Sequence, residues 1–117
     1  MLRPLWTSVL SFLALTLPAL AASSEPIRIG EFASMTGKEA TYGQTAHRGA
    51  VLAIEEANAA GGVLGRRIEL LTEDNQSRPG ESATIVKKFI SRDKVVAVLG
   101  EIVSSRTLEV APICQHA

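Results

Sequence analysis

The stretch RIGEFASMTGKEATYG, Arg28 to Gly43, carries the ingredients of a phosphate-binding loop: a short apolar run, a glycine, a loop, then Gly37-Lys38 ahead of a helical pattern. Its spacing excludes that chemistry. A phosphate loop puts about four residues between its first glycine and the Gly-Lys pair, and a Ser or Thr after the lysine reaches the metal. Here six residues separate Gly30 from Gly37, and Glu39 follows Lys38. A carboxylate where phosphates and a metal ion would meet has the wrong sign.

Other candidates for chemistry are few. The two histidines are His47, between Ala46 and Arg48, and His116, near the last residue. Cys114 and His116 are two apart in a helical pattern, which turns them about 200° from each other, so they form no nucleophile–base pair. No group of residues has metal-ligand spacing. Glu55-Glu56 reads as a solvated helix face. The expectation is a protein that is not an enzyme and needs no cofactor or metal.

Bulk properties narrow the class further. Residues 1–21 carry one charge, Arg3, then an apolar stretch from Val9 to Leu17, Pro18, and Ala19-Leu20-Ala21. This is the layout of a secretory signal peptide with an A-x-A cleavage site ending at Ala21. The apolar core is shorter than the ~20 residues of a membrane-spanning helix. No cysteine sits at the cleavage point to carry a lipid. Without the leader, 11 basic residues face 12 acidic ones, a net charge of −1. That balance gives no electrostatic footing for nucleic acid. The single cysteine, Cys114, excludes an internal disulfide, so the fold depends on an apolar core.

The elements that must position any site follow from periodicity. IRIGEF, Ile27 to Phe32, alternates as a strand. Tyr42 to Ala60 reads as a helix with a small-residue stripe, Ala46, Ala50, Ala53, Ile54 and Ala57, suited to packing on a sheet. Glu55, Glu56 and Asn58 fall off that stripe, and Gly61-Gly62 supply a left-handed stop. Arg66 to Asp74 reads as a second strand. A second helix is expected from Ser77-Arg78-Pro79, burying Ala83, Val86, Phe89 and Ile90 and leaving Lys87, Lys88 and Arg92 in water. Val95 to Gly100 is a continuous apolar strand, which implies cover on both faces. After Gly100 a third helix starts, with Ser104 or Ser105 as its cap.

The order β-α-β-α-β-α predicts an α/β fold, a parallel sheet with right-handed crossovers. It amounts to half of a doubly wound domain, leaving an open sheet edge. Ligands of such sheets sit beyond the strands' C-terminal ends, where strand order reverses. With order 2-1-3, the loop before Tyr42-Gly43 and the loop GEIVSSRT flank that point. Ser104 and Ser105 there serve either as a helix cap alone or, with the first free N–H groups, as a carboxylate anchor. Tyr42 is either a surface aromatic or an apolar wall with a polar tip.

In order and spacing, MTGKEATYG, LAIEEANAAGGVLGR, EDNQSRPGE and VVAVLGEIVSS resemble the substrate-binding proteins of branched-chain amino-acid ABC transporters, the leucine/isoleucine/valine-binding type. The resemblance covers residues 27–117. It implies a bilobed, type I periplasmic-binding-protein fold, of which residues 22–117 form part of the N-terminal lobe, the second lobe being absent from this chain. It also implies a periplasmic protein that closes on an amino acid or a similar carboxylate or amide and passes it to a membrane permease. By position, Tyr42 packs on the ligand and Ser104, with Ser105 beside it, binds the ligand carboxylate. The alternative is a sensing domain of the same fold that signals to a regulator. Lys38 departs from the Pro found in many relatives. Glu101 and Arg106 bring charge close to the expected site. Arg106 is expected to pair with Glu101 or Glu109, the alternative being contact with an acidic ligand.

Overall fold

The computed structural model describes residues 25–117, so the leader expected over residues 1–21 lies outside the described residues. The elements run β1 (Ile27–Ala33), α1 (Ala40–Ala59), β2 (Ile68–Asp74), α2 (Glu81–Lys88), a π-helical turn (Phe89–Asp93), β3 (Ala97–Leu99) and α3 (Ser104–Gln115). The sheet is parallel, as the element order predicts, and its strand order is β2-β1-β3, the order that the resemblance implies. β1 is therefore central. It pairs from Ile27↔Ile68 to Ala33↔Asp74 on one side and from Ile29↔Ala97 to Glu31↔Leu99 on the other.

Alternation along β1 sends Gly30 and Phe32 toward α2 and α3. There Phe32, Ile85, Val86, Phe89 and Val110 make the buried core. Each such side chain contributes about 1.5–3 kcal/mol by leaving water. The Phe89 ring lies so close that a Cβ on Gly30 would meet it at 2.5 Å. Ile85 belongs to this core although the sequence pattern passes over it, while Ala83 and Ile90 are only half-buried.

The opposite face holds α1 by polar clamps more than by burial. Ala46 and Ala53 are exposed, Ala50, Ile54 and Ala57 are half-buried, and Gly43 alone is fully buried. The expected stripe is thus only partly used, because α1 lies over β1 and β2 while nothing described covers the β3 side. Asn58, off the stripe, is the clamp: its amide donates to the Ile68 carbonyl at 2.9 Å and accepts from the Ile68 N–H at 2.7 Å. The helix then stops as Gly61 and Gly62 predict. The Gly62 N–H reaches the Ala57 carbonyl and the Gly61 N–H the Asn58 carbonyl, with φ of 104° and 74° at the two glycines.

Three expectations are corrected. α2 starts at Glu81, not at Ser77, because Gln76 and Ser77 both take φ of 57° and Gly80 takes 85°. The segment before α2 is therefore a left-handed turn. Lys88 is half-buried and pairs with Glu73 on β2 rather than standing in water. β3 is only three residues long and is not covered on both faces: Val96 is 73% exposed, and Leu99 and Ile102 are exposed as well. Its outer edge has no strand beside it among the described residues.

Candidate functional site

The three strands end on polar residues that meet one another. Ser34 follows β1, Asn75 follows β2, and Glu101 lies two residues past β3. Ser34 and Asn75 are fully buried, and Glu101 is half-buried. The Ser34 hydroxyl lies 2.8 Å from Asn75 Oδ1 and 2.5 Å from Glu101 Oε1. The Asn75 amide donates to Ser82 Oγ at 3.1 Å and to Glu101 Oε2. The Ser77 N–H donates to Asn75 Oδ1 at 3.0 Å, which fixes the orientation of the Asn75 amide. Buried polar groups are stable only when partnered in this way.

Asp74 organises the loop after β1. Its carboxylate accepts the Met35 and Thr36 N–H groups at 2.9 and 3.2 Å, the Thr36 hydroxyl at 2.6 Å and the Gln76 N–H at 2.8 Å. Burial pushes the Asp74 carboxyl up, but the Thr36 hydroxyl and these amides outweigh it and hold it below the usual carboxylate range. The loop amides that a phosphate would need are already given to Asp74, which agrees with the spacing against a phosphate loop. Glu39 is also held below its usual range, first by the Ser77 hydroxyl, against the opposing effect of burial, and then by Lys38 and Arg106.

At Gly43 the first turn of α1 rests on this loop. A Cβ there would lie 2.0 Å from the Ser34 carbonyl oxygen. Gly43, Gly100, Glu101 and Ile102 line a cavity of about 180 Å³ with Glu31 and Phe32. The end of β1, α1 and the loop after β3 therefore share one hollow. A larger hollow, about 480 Å³, opens at the other end of β3, between Val96 and Cys114. It lies at the N-terminal end of the strand, away from the polar cluster.

The loop after β3 is closed by Thr107, whose hydroxyl accepts from the Glu101 N–H at 3.1 Å and donates to the Glu101 carbonyl at 2.8 Å. α3 then opens at Ser104 with Val103 in the capping position and no side-chain cap, which corrects the expectation that Ser104 or Ser105 caps it. Both serines sit in the first helical turn and are exposed. Tyr42 is 62% exposed on the first turn of α1.

Arg106 is not paired with Glu101 or Glu109. It is 9% exposed, its guanidinium donates to the Ser77 carbonyl at 2.7 Å, and its Nε is buried without a partner. One turn of helix from Val103 carries it beneath α3 against the β2–α2 turn, so Glu101 is left to Ser34 and Asn75.

Sequence reasoning also passes over a second cluster. Glu31 is buried, and its Oε2 lies 2.7 Å from His47 Nδ1 on α1 and 2.9 Å from the Thr72 hydroxyl on β2. The signal available is that Glu31 shares the alternating face of Ile27 and Ile29, where a carboxylate needs a partner. Among the described residues no group of His, Cys, Asp and Glu is arranged to hold a metal ion.

Comparison with known proteins places this geometry. A family model described as "Periplasmic binding protein" matches residues 26–117. An amino acid binding protein of Pseudomonas aeruginosa is 33% identical over 110 residues, 94% of this chain and 28% of that protein. The crystal structure of the branched-chain amino acid transporter substrate-binding protein LivJ of Streptococcus pneumoniae, in complex with isoleucine, superposes with a TM-score of 0.76 at 35% identity. It covers 79% of this chain and 26% of that one. A solute-binding protein of an ABC transporter from Rhodopseudomonas palustris, in complex with 3,4-dihydroxybenzoic acid, gives 0.71 at 25% identity, covering 79% of this chain and 25% of that one. The chain thus spans about a quarter of the length of the relatives it matches. Its sheet order, its helices and its match over nearly all described residues make it a member of the periplasmic binding protein family.

Proposed function

We propose that this chain is part of the N-terminal lobe of an exported solute-binding protein serving an ABC importer. Residues 1–21 act as its leader and residues 22–117 as half of a lobe. The uncovered row along β3 is buried by the remainder of the same polypeptide. The solute is an amino acid of the branched-chain type or a related small carboxylate or amide, captured between two lobes and released to a membrane permease. No catalytic step is involved.

The observation that carries this reading is the hollow at the strand C-termini, lined by Ala33, Leu99 and Glu101, with α3 opening uncapped three residues after Glu101. The free N–H groups of a first helical turn, at the positive end of the helix dipole, favour a carboxylate. Ser104 and Ser105 add hydroxyl donors in that turn, and Tyr42, exposed on the first turn of α1, supplies the aromatic wall of this reading. Relatives crystallised with isoleucine and with 3,4-dihydroxybenzoic acid both hold carboxylic acids, which supports an acid-binding site on this scaffold.

Ser104→Ala in the full-length polypeptide should weaken binding of the cognate solute by about 1.5–3 kcal/mol, the range for a hydrogen bond to a charged group. Glu56→Ala, on the exposed face of α1, should leave affinity unchanged. Equal affinity in the Ser104 variant and the wild type, measured by calorimetric titration, would remove Ser104 from the site.

A further inference from the structure

Among the described residues, two buried side-chain atoms lack a hydrogen-bond partner, and they belong to opposite charges: Arg106 Nε and Glu39 Oε2. Both residues are bonded to Ser77. The Arg106 guanidinium donates to the Ser77 carbonyl at 2.7 Å, and the Glu39 N–H donates to the Ser77 hydroxyl at 3.1 Å. That hydroxyl donates in turn to the Thr36 carbonyl at 2.8 Å. One serine in the left-handed turn before α2 thus joins the start of α3 to the loop that leads into α1.

A buried guanidinium bonded to a neutral carbonyl keeps its charge uncompensated, which is costly unless an opposite charge stands near. Glu101 does not serve, because both its oxygens are turned to Ser34 and Asn75. Glu39 shares Ser77 with Arg106 and has an oxygen to spare. Its side chain is 17% exposed, the exposed Lys38 takes Oε1 at 3.2 Å, and Oε2 stays free. The Glu39 carboxyl is held below its usual range first by the Ser77 hydroxyl, against burial, with the charges of Lys38 and Arg106 adding to the effect.

We infer that Arg106 is a positioning residue, coupled by charge to Glu39 across the Ser77 turn, that fixes the start of α3 against the start of α1. Glu39 immediately precedes α1, and its carbonyl accepts the Tyr42 and Gly43 N–H groups at 3.0 and 3.2 Å. Arg106 lies in the first turn of α3, where its own N–H and that of Thr107 reach the Val103 carbonyl at 3.0 and 3.4 Å. A shift at either residue therefore moves the first turn of its own helix, and the charge coupling passes it to the other. The consequence for a solute rests on the proposed solute-binding reading: these two turns carry Tyr42 and Ser104, so the pair sets their spacing before a solute arrives. Preorganisation of this kind raises affinity by lowering the ordering cost of binding.

The experiment compares the full-length wild type with Glu39→Gln, Arg106→Lys and Arg106→Met. It reads amide hydrogen exchange without solute, and calorimetric affinity for leucine, isoleucine, valine, urea and benzoate. Glu39→Gln should speed exchange at Arg106 and Thr107, on the other helix, by about fivefold, within the range for residues of one network. Arg106→Met should do the same at Tyr42 and Gly43, whereas Arg106→Lys, which keeps the charge, should leave those two amides close to wild type. Both neutral variants should weaken solute binding by about the same factor, and the double variant should weaken it no further than the worse single. A purely structural role for Arg106 would disturb α3 and leave Tyr42 and Gly43 alone. Unchanged exchange at Tyr42 and Gly43 in Arg106→Met, or at Thr107 in Glu39→Gln, overturns the inference, as does coupled exchange with unaltered affinity. Should Arg106→Met fail to fold, the isosteric Glu39→Gln decides by itself. A wild type that binds none of the five compounds overturns the solute-binding reading, and the positioning role with it.

Discussion

Single carboxylates decide how the site is built. Asp74 takes three backbone N–H groups and one hydroxyl, which fixes the loop after β1 against the end of β2. Its carboxyl is depressed in the folded chain. A depressed carboxyl contributes stability above its unfolded value, about 3.9, and loses it as pH falls through the lower folded value. Asp74→Asn should therefore destabilise by about 1–2 kcal/mol at neutral pH, a figure kept low because the group is partly open to water. That deficit should shrink below about pH 4, as the wild type loses the same contribution. Denaturant titrations at a series of pH values check this. A deficit unchanged between neutral and strongly acidic solution would show that Asp74 does not act through its charge.

Between elements, the close approaches matter most. α1 has little buried apolar surface and is placed instead by Gly43 against Ser34, by Asn58 across Ile68, and by His47 on Glu31. Gly43→Ala would force a Cβ to 2.0 Å from a backbone oxygen, which cannot rotate away. The helix must lift, and overpacking of this kind costs typically about 1–3 kcal/mol. A lower melting temperature accompanied by weaker solute binding is the expected pair of effects, because the same turn carries Tyr42. A variant as stable as the wild type would mean that α1 is not seated by this contact.

These particulars also explain what was legible in the sequence. Strand alternation and helix periodicity depend on neighbours a few residues apart, so the order of elements and the Gly61-Gly62 stop could be read directly, whereas the sheet order came with the resemblance. The polar cluster joins Ser34, Asn75, Ser82 and Glu101, separated by up to 67 residues between Ser34 and Glu101, and no local pattern announces it. The same holds for Arg106. Sequence proximity suggested Glu101 or Glu109 as its partner, whereas helical geometry carried it under α3 to Ser77. The left-handed turn at Gln76 and Ser77 displaced the start of α2 for a related reason. It depends on the Asn75 side chain bonding its own turn, a choice that competes with helix.

On the scale of the whole molecule, the described residues form a three-stranded parallel layer with one face well packed and one edge bare. Val96, Leu99 and Ile102, along β3 and just after it, are exposed apolar residues there. The proposed function assigns their cover to the remainder of the polypeptide and the second wall of the hollow to another lobe. On the proposed function, solute binding is a property of the full-length polypeptide. The most direct test is a thermal-melt panel on that polypeptide purified from the periplasm, with leucine, isoleucine, valine, small amides, urea, and aromatic and dicarboxylic acids. A solute at a hundred times its dissociation constant should add about 2.7 kcal/mol of stability. The account predicts a clear upward shift with one class of amino acid, small carboxylate or amide. No shift with any member of the panel would contradict it.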